Sequence, residues 1–191
     1  TDCLPQVLEG IKTAQSVGFD FIKINMVPLQ GINDFDLDDM VAFCIKHGFI
    51  LNLIEAMPMG VTGQRHAQVN LQPVLARLQQ QYDLVASSRQ IGGGPARYWQ
   101  SQDGRFTLGL ITPMSQHFCQ TCNRVRLSAT GNIHLCLGQE HTVPLRPMLR
   151  AGCSDAELED TIRQAVWQKP EKHDFVEAPH KIIRVMAMTG G

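Results

Sequence analysis

Apolar residues in the first sixty positions alternate between the spacing of a helix and the spacing of a strand. Over 4–17 every third or fourth residue is apolar, which predicts a helix that Gly18 ends. The strand, helix and strand that follow predict a βαβ unit and therefore a parallel sheet. These predicted elements are a strand over 19–27, a helix that starts at Asp34 or Asp36 and ends at His47, and a strand over 49–56.

The alternation of helix and strand ends at 59–63, where the segment Met-Gly-Val-Thr-Gly predicts a boundary. We therefore expect two domains, one over 1–60 and one over 61–191. The elements predicted beyond the boundary are a helix over 71–82, strands over 96–100 and 106–111 joined by a turn at Asp103 and Gly104, a short helix over 145–149, and a helix from Ser154 to Trp167.

Composition narrows the class of protein. The formal net charge of −1 gives no field that attracts nucleic acid or an anionic membrane, and no apolar run approaches the roughly 18 residues of a membrane helix. We therefore predict a cytoplasmic globular protein with neither kind of partner. Six cysteines without a secretion signal indicate metal binding or buried thiols. Cys3, Cys44 and Cys153 lack ligand spacing, and Cys44 is predicted to belong to the core.

The segment over 118–137 carries the most specific chemistry in the chain. Cys119 and Cys122 have the Cys-x-x-Cys spacing that brings two thiolates to one metal centre. Cys136 follows an alternating apolar run that a turn closes, which places a third thiolate on the far arm of a predicted hairpin. Three cysteines suit an iron–sulfur cluster that keeps one iron open for another ligand.

A structural zinc ion is the alternative, and the residues leave it open. Such a site is usually closed by four protein ligands. The fourth donor would be one of three nearby histidines, namely His117, His134 and His141.

Three cationic side chains are candidates for binding an anion. Arg124 and Arg126 lie two residues apart, so in a strand they project from the same face, directly after the second cysteine. Lys23 lies in an apolar strand, where a lysine is costly unless it is paired or faces a cavity. The alternatives are two solvated surface arginines and a solvated lysine on an edge strand.

The motif Phe-Cys-x-x-Cys-Asn-Arg-x-Arg-Leu, followed by a turn glycine and Cys-Leu, resembles the C-terminal cluster motif of the GTP 3′,8-cyclase family. These are radical S-adenosylmethionine enzymes of molybdenum cofactor biosynthesis. Other segments agree with the family in order and spacing: Ile-Lys-Ile-Asn at 22–25, Ile-Glu-Ala-Met-Pro at 54–58, Gly-Pro-Ala at 94–96, Gly-Leu-Ile-Thr at 109–112 and Gly-Gly at 190–191.

The resemblance implies a fold and a reaction. Residues 1–60 would be the last elements of an incomplete (βα) barrel, and 61–191 an α+β iron–sulfur domain. The family's N-terminal half, with a Cys-x-x-x-Cys-x-x-Cys cluster that cleaves S-adenosylmethionine, has no counterpart in this sequence. In the family, the radical formed from S-adenosylmethionine takes the ribose 3′ hydrogen of GTP. The ribose C3′ then forms a bond to C8 of guanine, and enzymes that catalyse this reaction are classed as lyases. We expect this chain alone to be inactive.

The resemblance also assigns residues. A second 4Fe-4S cluster on Cys119, Cys122 and Cys136 would bind the guanine through its open iron, and the Gly-Gly tail would reach the active site. Asn52 stands where the family usually has an arginine, which puts one cationic contact in question. The implied contacts are Lys23, Arg124, Val125 and Arg126 with GTP, and Met57 with S-adenosylmethionine.

The residues are also compatible with two other functions. The chain could be a zinc- or cluster-stabilised binding domain without this activity, or an auxiliary domain of a radical enzyme that acts on a peptide. The implied downstream partner is the synthase that makes cyclic pyranopterin monophosphate. The sequence does not fix the oligomeric state, and a homodimer stays open. It also does not say why the N-terminal half is absent.

Overall fold

The structure is a computed structural model that describes residues 3–66, 70–116 and 118–189. It contains two compact units. The first unit comprises Thr1–Glu55 and Asn70–Thr112, and the second unit comprises Ala56–Val69 and Pro113–Gly191. The chain first leaves the first unit close to the predicted boundary at residue 60, but it then returns to that unit. The two units therefore differ from the predicted ranges, and the assignment of those ranges to a barrel and an iron–sulfur domain stays a prediction.

Helices and strands follow one another along the chain as the spacing predicts for most segments. The helices are α1 (Leu4–Ser16), α2 (Leu37–His47), α3 (Gly60–His66), α4 (Gln72–Tyr82), α5 (Arg146–Arg150) and α6 (Asp155–Trp167). The strands are β1 (Lys23–Met26), β2 (Ile50–Ile54), β3 (Leu84–Ser87), β4 (Arg97–Ser101), β5 (Thr107–Ile111), β6 (Arg126–Leu127), β7 (Asn132–His134) and β8 (Thr142–Pro144).

The first unit is built on a five-stranded mixed sheet with the order β1-β2-β5-β4-β3. Strands β1, β2 and β5 are parallel, whereas β4 is antiparallel to both β5 and β3. The α/β class and the predicted βαβ unit, β1-α2-β2, are confirmed. Four leucines at the centre of the sheet are almost completely buried, namely Leu51, Leu53, Leu108 and Leu110.

Local signals place the ends of the elements in this unit. Gly48 has φ +70°, a left-handed conformation that ends α2, and its N–H donates to the carbonyls of the last helical turn. The turn at Gly104, where φ is +72°, closes the β4–β5 hairpin, with the Gly104 N–H 2.9 Å from the Ser101 carbonyl oxygen. Helix α1 forms where it is predicted, but it contains no buried residue among its described positions.

The second unit contains a small antiparallel sheet, β6-β7-β8, and helix α6. Ser154 and Glu157 form a reciprocal capping box at the start of α6, as their spacing predicts. One apolar cluster joins β7, the following residues and α6, and it consists of Ile133, Leu135, Leu145 and Ala165. A second cluster consists of Met59, Phe175 and Ile182.

The structure differs from the predicted elements at several places, and β8 is one strand that the sequence does not predict. Strand β3 forms at a position where no strand is predicted, because it pairs with β4 rather than following a periodic pattern of its own. Helix α3 occupies the expected boundary segment. Strand β1 is shorter than the predicted strand over 19–27, and Phe19 and Phe21 before it are exposed. Among the described residues, no helix is long and apolar enough to cross a membrane.

Candidate functional site

The first two cysteines of the motif lie on one short turn in the second unit. A 3₁₀ helix spans Cys119–Thr121, and the Cys122 N–H donates to the Cys119 carbonyl at 3.1 Å. Both thiols are free and half-buried. A turn of this size keeps two cysteines spaced by two residues on the same side of the chain.

The β6–β7 hairpin brings the third cysteine back toward this turn. Arg126 pairs with His134 across the hairpin, and Gly131 closes it with φ +78°. Cys136 follows two residues after His134 and is also a free, half-buried thiol.

The surroundings of Cys136 act on its ionisation in both directions. Burial raises the pKa of the Cys136 thiol most, and the nearby Cys119 and Cys122 thiols raise it further. The Gly138 N–H and the Lys169 ammonium lower this pKa. Since like charges raise one another's pKa only over short distances, the three thiols of the motif lie in one neighbourhood. A metal centre binds thiolates, so like Lys169 it would lower the pKa of the Cys136 thiol.

A single metal ion and an iron–sulfur cluster require different spacings of the cysteine ligands. Among the described residues, no group of three or more His, Cys, Asp or Glu side chains is drawn together closely enough to hold one metal ion. The sulfurs on one zinc ion lie about 4 Å apart, because each Zn–S bond is about 2.3 Å. A four-iron cluster distributes its thiolates over several irons and needs them further apart. A cavity of about 570 Å³ borders Cys119.

Two of the three histidines considered as a fourth zinc ligand, His134 and His141, lie among the described residues. His134 is buried, and its Nδ1 accepts a hydrogen bond from the Arg184 guanidinium at 2.9 Å. Burial, followed by the charge of Arg184, lowers the pKa of His134, so its imidazole is neutral near pH 7. His141 is exposed, and His117 lies outside the described residues.

The two arginines of the motif lie close to each other and to the cysteines. Burial lowers the pKa of Arg126 most, the charge of Arg124 lowers it further, and Cys122 raises it. Only Arg126 belongs to β6, so the predicted common strand face is not the reason that the two charges interact. Val125 between them is 41% exposed. Neither arginine forms an ion pair with a described carboxylate, and such a pair of cations suits an anionic ligand.

Lys23 lies in the first unit and is held there by the backbone of Ile91. Its ammonium donates to the Ile91 carbonyl, to which the Tyr98 hydroxyl also donates at 3.3 Å. The ammonium lies 5.6 Å from the ring centroids of Phe21 and Tyr98. Lys23 is therefore paired and half-buried, which differs from the alternative of a freely solvated edge lysine.

Asn52 lies at the centre of the same sheet. It is only 4% exposed, and its Nδ2 donates to Asn25 Oδ1 at 3.0 Å. Asn52 Oδ1 has no hydrogen-bond partner among the described residues. Gly109 is its register partner on β5, and a Cβ atom there would collide with Asn52 Oδ1. The asparagine therefore fills the space directly over Gly109.

Met57 belongs to the second unit, together with the cysteines. It is half-buried and packs against the cluster of Met59, Phe175 and Ile182. This packing explains the partial burial of the Met57 side chain without any ligand. A contact between Met57 and S-adenosylmethionine therefore stays a prediction. The Gly-Gly tail lies outside the described residues.

Sequence reasoning missed Arg184, which is 5% exposed and lies beside Cys136. The signal that could have identified it is an arginine between apolar residues, Ile182, Ile183 and Val185. A charged side chain in such a run is rarely buried unless it is paired.

Comparison with known proteins relates the whole chain to one family. The sequence profile of the family described as Molybdenum Cofactor Synthesis C matches residues 49–175. A GTP 3′,8-cyclase of Pseudomonas putida (strain W619) is 43% identical over 197 residues, which cover 100% of this chain and 59% of that protein. A GTP 3′,8-cyclase of Paracoccus denitrificans (strain Pd 1222) is 40% identical over 195 residues, covering 98% of this chain and 56% of that protein. The chain thus spans a little more than half the length of these curated relatives.

Proposed function

The chain belongs to the Molybdenum Cofactor Synthesis C family, and from this premise we propose that it supplies the GTP-binding, second-cluster half of a GTP 3′,8-cyclase. The observation that carries the proposal is the β6–β7 hairpin. It brings three free thiols into one neighbourhood beside Arg124 and Arg126, which have no carboxylate partner among the described residues.

Cys119, Cys122 and Cys136 would hold the cluster. When it is bound, a 4Fe-4S cluster on three cysteines supplies one open iron that can take a nitrogen or oxygen of guanine. The half-buried position of the thiols limits their contact with water, and Lys169 favours the thiolate form of Cys136.

Arg124 and Arg126 would bind the triphosphate of GTP. Their mutual repulsion, together with the burial of Arg126, makes the unliganded pair unfavourable, and a polyphosphate removes that cost. Lys23, held by the Ile91 carbonyl in the first unit, is a further residue that the family resemblance assigns to GTP. Val125 lies between the arginines and would contact the same ligand.

In the full-length protein the reaction would be the cyclisation of GTP to 3′,8-cyclo-7,8-dihydro-GTP. The radical would come from S-adenosylmethionine and a first cluster in that longer protein, and Met57 would contact the S-adenosylmethionine. The residues of this chain would bind and orient GTP so that ribose C3′ faces C8 of the base. The product would pass to the synthase that forms cyclic pyranopterin monophosphate.

Anaerobic reconstitution tests the cluster and the substrate together. We expect about four irons per chain and a paramagnetic resonance spectrum that GTP changes and ATP does not. Cys122→Ala should lose the iron, whereas Cys153→Ala, at a half-buried thiol outside the motif, should keep it. Arg126→Ala should keep the iron but weaken the GTP response about tenfold or more, because it removes a charged hydrogen-bond donor.

The opposite results would point to the zinc-stabilised binding domain. Stoichiometric zinc with no spectral response to GTP would leave only common ancestry with the cyclases. Iron that binds equally well to Cys122→Ala would show that the motif does not hold the cluster.

A further inference from the structure

Arg184 is an almost fully buried cation that no step of the proposed reaction uses. Its exposed fraction is 5%, and the carboxylate of Glu140, 40% exposed, lies 3.6 Å away. Within the second unit its guanidinium donates to four acceptors: His134 Nδ1 at 2.9 Å, the Cys136 carbonyl at 3.1 Å, the Leu137 carbonyl at 3.0 Å, and the Gln139 carbonyl. Three of these acceptors belong to the backbone directly at and after the third cysteine.

The same segment is held at every carbonyl from 135 to 139. The Leu135 carbonyl accepts from the Lys169 ammonium at 2.9 Å, and the Gly138 carbonyl accepts from the Asp174 N–H at 2.9 Å. The other three accept from Arg184. Because five consecutive peptide groups are bound by residues 30 or more positions away, the path of this segment depends on those contacts. We call residues 135–140 the Cys136 loop.

Gly138 shows how closely the loop is packed. A Cβ atom at this position would lie 2.5 Å from His173 Cβ and 3.1 Å from the Phe175 ring. The loop therefore cannot shift toward 173–175 to relieve a missing contact on its other side. Its position is set by Arg184 on one side and by this packing on the other.

We propose that Arg184 is a positioning residue that fixes the Cys136 loop, and with it the direction of the Cys136 thiol toward the cluster. This inference rests on the proposed function, because it assumes that Cys136 is a cluster ligand. Groups that orient metal ligands from behind affect binding by about 10- to 100-fold. The planar guanidinium suits the role because it presents several N–H groups in fixed directions, which an ammonium does not.

The contacts of Arg184 exclude a role in binding phosphate and fix the tautomer of His134. It is not free to bind a phosphate, since the Nη1 and Nη2 groups already donate to His134 and to the backbone. Only its Nε lacks a hydrogen-bond partner among the described residues. It also holds His134 in the tautomer that has its proton on Nε2, because Nδ1 accepts the arginine hydrogen bond.

The test compares Arg184→Met, Arg184→Lys and the control Arg163→Met in the full chain. Arg163 is an exposed residue of α6 in the same unit, and its ion pair with Glu159 spans 2.6 Å. Thermal unfolding of each metal-free variant is measured first by circular dichroism. The reconstituted proteins are then compared by iron content, by the rate of iron release to a chelator, and by the paramagnetic resonance spectrum.

We expect folded Arg184→Met to release iron at least tenfold faster than the unsubstituted chain, with an altered spectrum. Arg184→Lys should restore part of the loss, and Arg163→Met should match the unsubstituted chain. A folded Arg184→Met with the same iron release and spectrum would overturn the proposal. So would an equal acceleration in Arg163→Met, because iron release would then report general instability.

If Arg184→Met does not fold, Arg184→Lys decides alone. A folded lysine variant with faster iron release supports the proposal, and one with unchanged release and spectrum overturns it. Failure of the proposed function gives a different result: the unsubstituted chain itself would then bind no iron. Normal iron binding in every folded variant would overturn the role of Arg184 and leave the cluster intact.

Discussion

Two cysteines of this chain show how surroundings decide what a thiol does. Cys44 lies in α2 with no solvent exposure, and burial raises its pKa to about 11. Cys136 is half-buried, and the Gly138 N–H and Lys169 partly oppose the effect of burial on its pKa. A thiol whose ionised form is disfavoured without compensation belongs to the core. A thiol that lies beside a cation and two other thiols, as Cys136 does, is suited to be a metal ligand.

The raised pKa of Cys44 predicts a loss of stability at alkaline pH. The folded state keeps the proton more tightly than the unfolded state, whose pKa is near 9.0. The contribution is therefore complete below pH 9 and is lost as the pH rises through about 11. By pH 10 the free energy of unfolding should have fallen by about 1 kcal/mol from this group.

Urea unfolding at pH 8, 9 and 10 under reducing conditions measures this effect. Trp99 is half-buried in β4 of the same unit and reports its unfolding by fluorescence, whereas Trp167 is 85% exposed. Cys44→Ala should be less stable at pH 8 but should lose less stability between pH 8 and 10. Cys153→Ala should follow the unsubstituted chain. Parallel curves for Cys44→Ala and the unsubstituted chain would contradict the prediction.

At the scale of the elements, α6 supports the hairpin that carries the cysteines. Ala165 of α6 packs against Ile133 of β7 and against Leu135, which directly precedes Cys136. The start of α6 is fixed by the Ser154 hydroxyl, which accepts from the Glu157 N–H at 3.3 Å, and by the Glu157 carboxylate, which accepts from the Ser154 N–H at 2.8 Å. The cap therefore contributes to the stability of the second unit.

Ser154→Ala should lower the free energy of unfolding by about 1 kcal/mol, because the Glu157 N–H loses the hydroxyl oxygen that it donates to and the Glu157 carboxylate loses the hydroxyl that donates to it. Ser154→Asp should retain most of the stability, since aspartate is an equally good N-cap residue. Chemical denaturation followed by circular dichroism compares the three proteins. Equal midpoints for Ser154→Ala and the unsubstituted chain would show that the cap is not needed.

At the scale of the whole molecule, the candidate residues are divided between the two units. Lys23 and Asn52 belong to the first unit, and the cysteines, the two arginines and Met57 belong to the second. The curated relatives are longer, and this chain covers 59% of the Pseudomonas putida protein. The substrate-binding residues proposed above are present in this chain, whereas the Cys-x-x-x-Cys-x-x-Cys motif does not occur in its 191 residues.

The isolated chain should therefore bind GTP after reconstitution without converting it. Incubation with GTP, S-adenosylmethionine and a strong reductant should yield no cyclised nucleotide by chromatography and mass spectrometry. The longer Pseudomonas putida relative, treated in the same way, is the positive control. Formation of the cyclised product by this chain alone would refute the assignment of a binding half.

Local sequence signals predicted most of the elements but not their partners. The stop at Gly48, the Asp103–Gly104 turn and the Ser154 cap are each confirmed, because each depends on a few neighbouring residues. The position of β5 beside β2 was not predicted. Strand pairing joins residues that are distant in the chain, so a local sequence pattern does not predict which strands pair.

The same division applies to the candidate site. The sequence by itself identified the candidate metal ligands and anion-binding residues, through the spacing of the cysteines and the two arginines that follow them. The family relation agrees with this identification. Only the tertiary structure decided that Lys23 is held by Ile91, that His134 is occupied by Arg184, and that the Cys136 loop is bound by residues up to 48 positions away. Spacing along the chain specifies which side chains a short turn can bring together. Buried charges find their partners only when distant segments pack, because burial without a partner is too costly to persist.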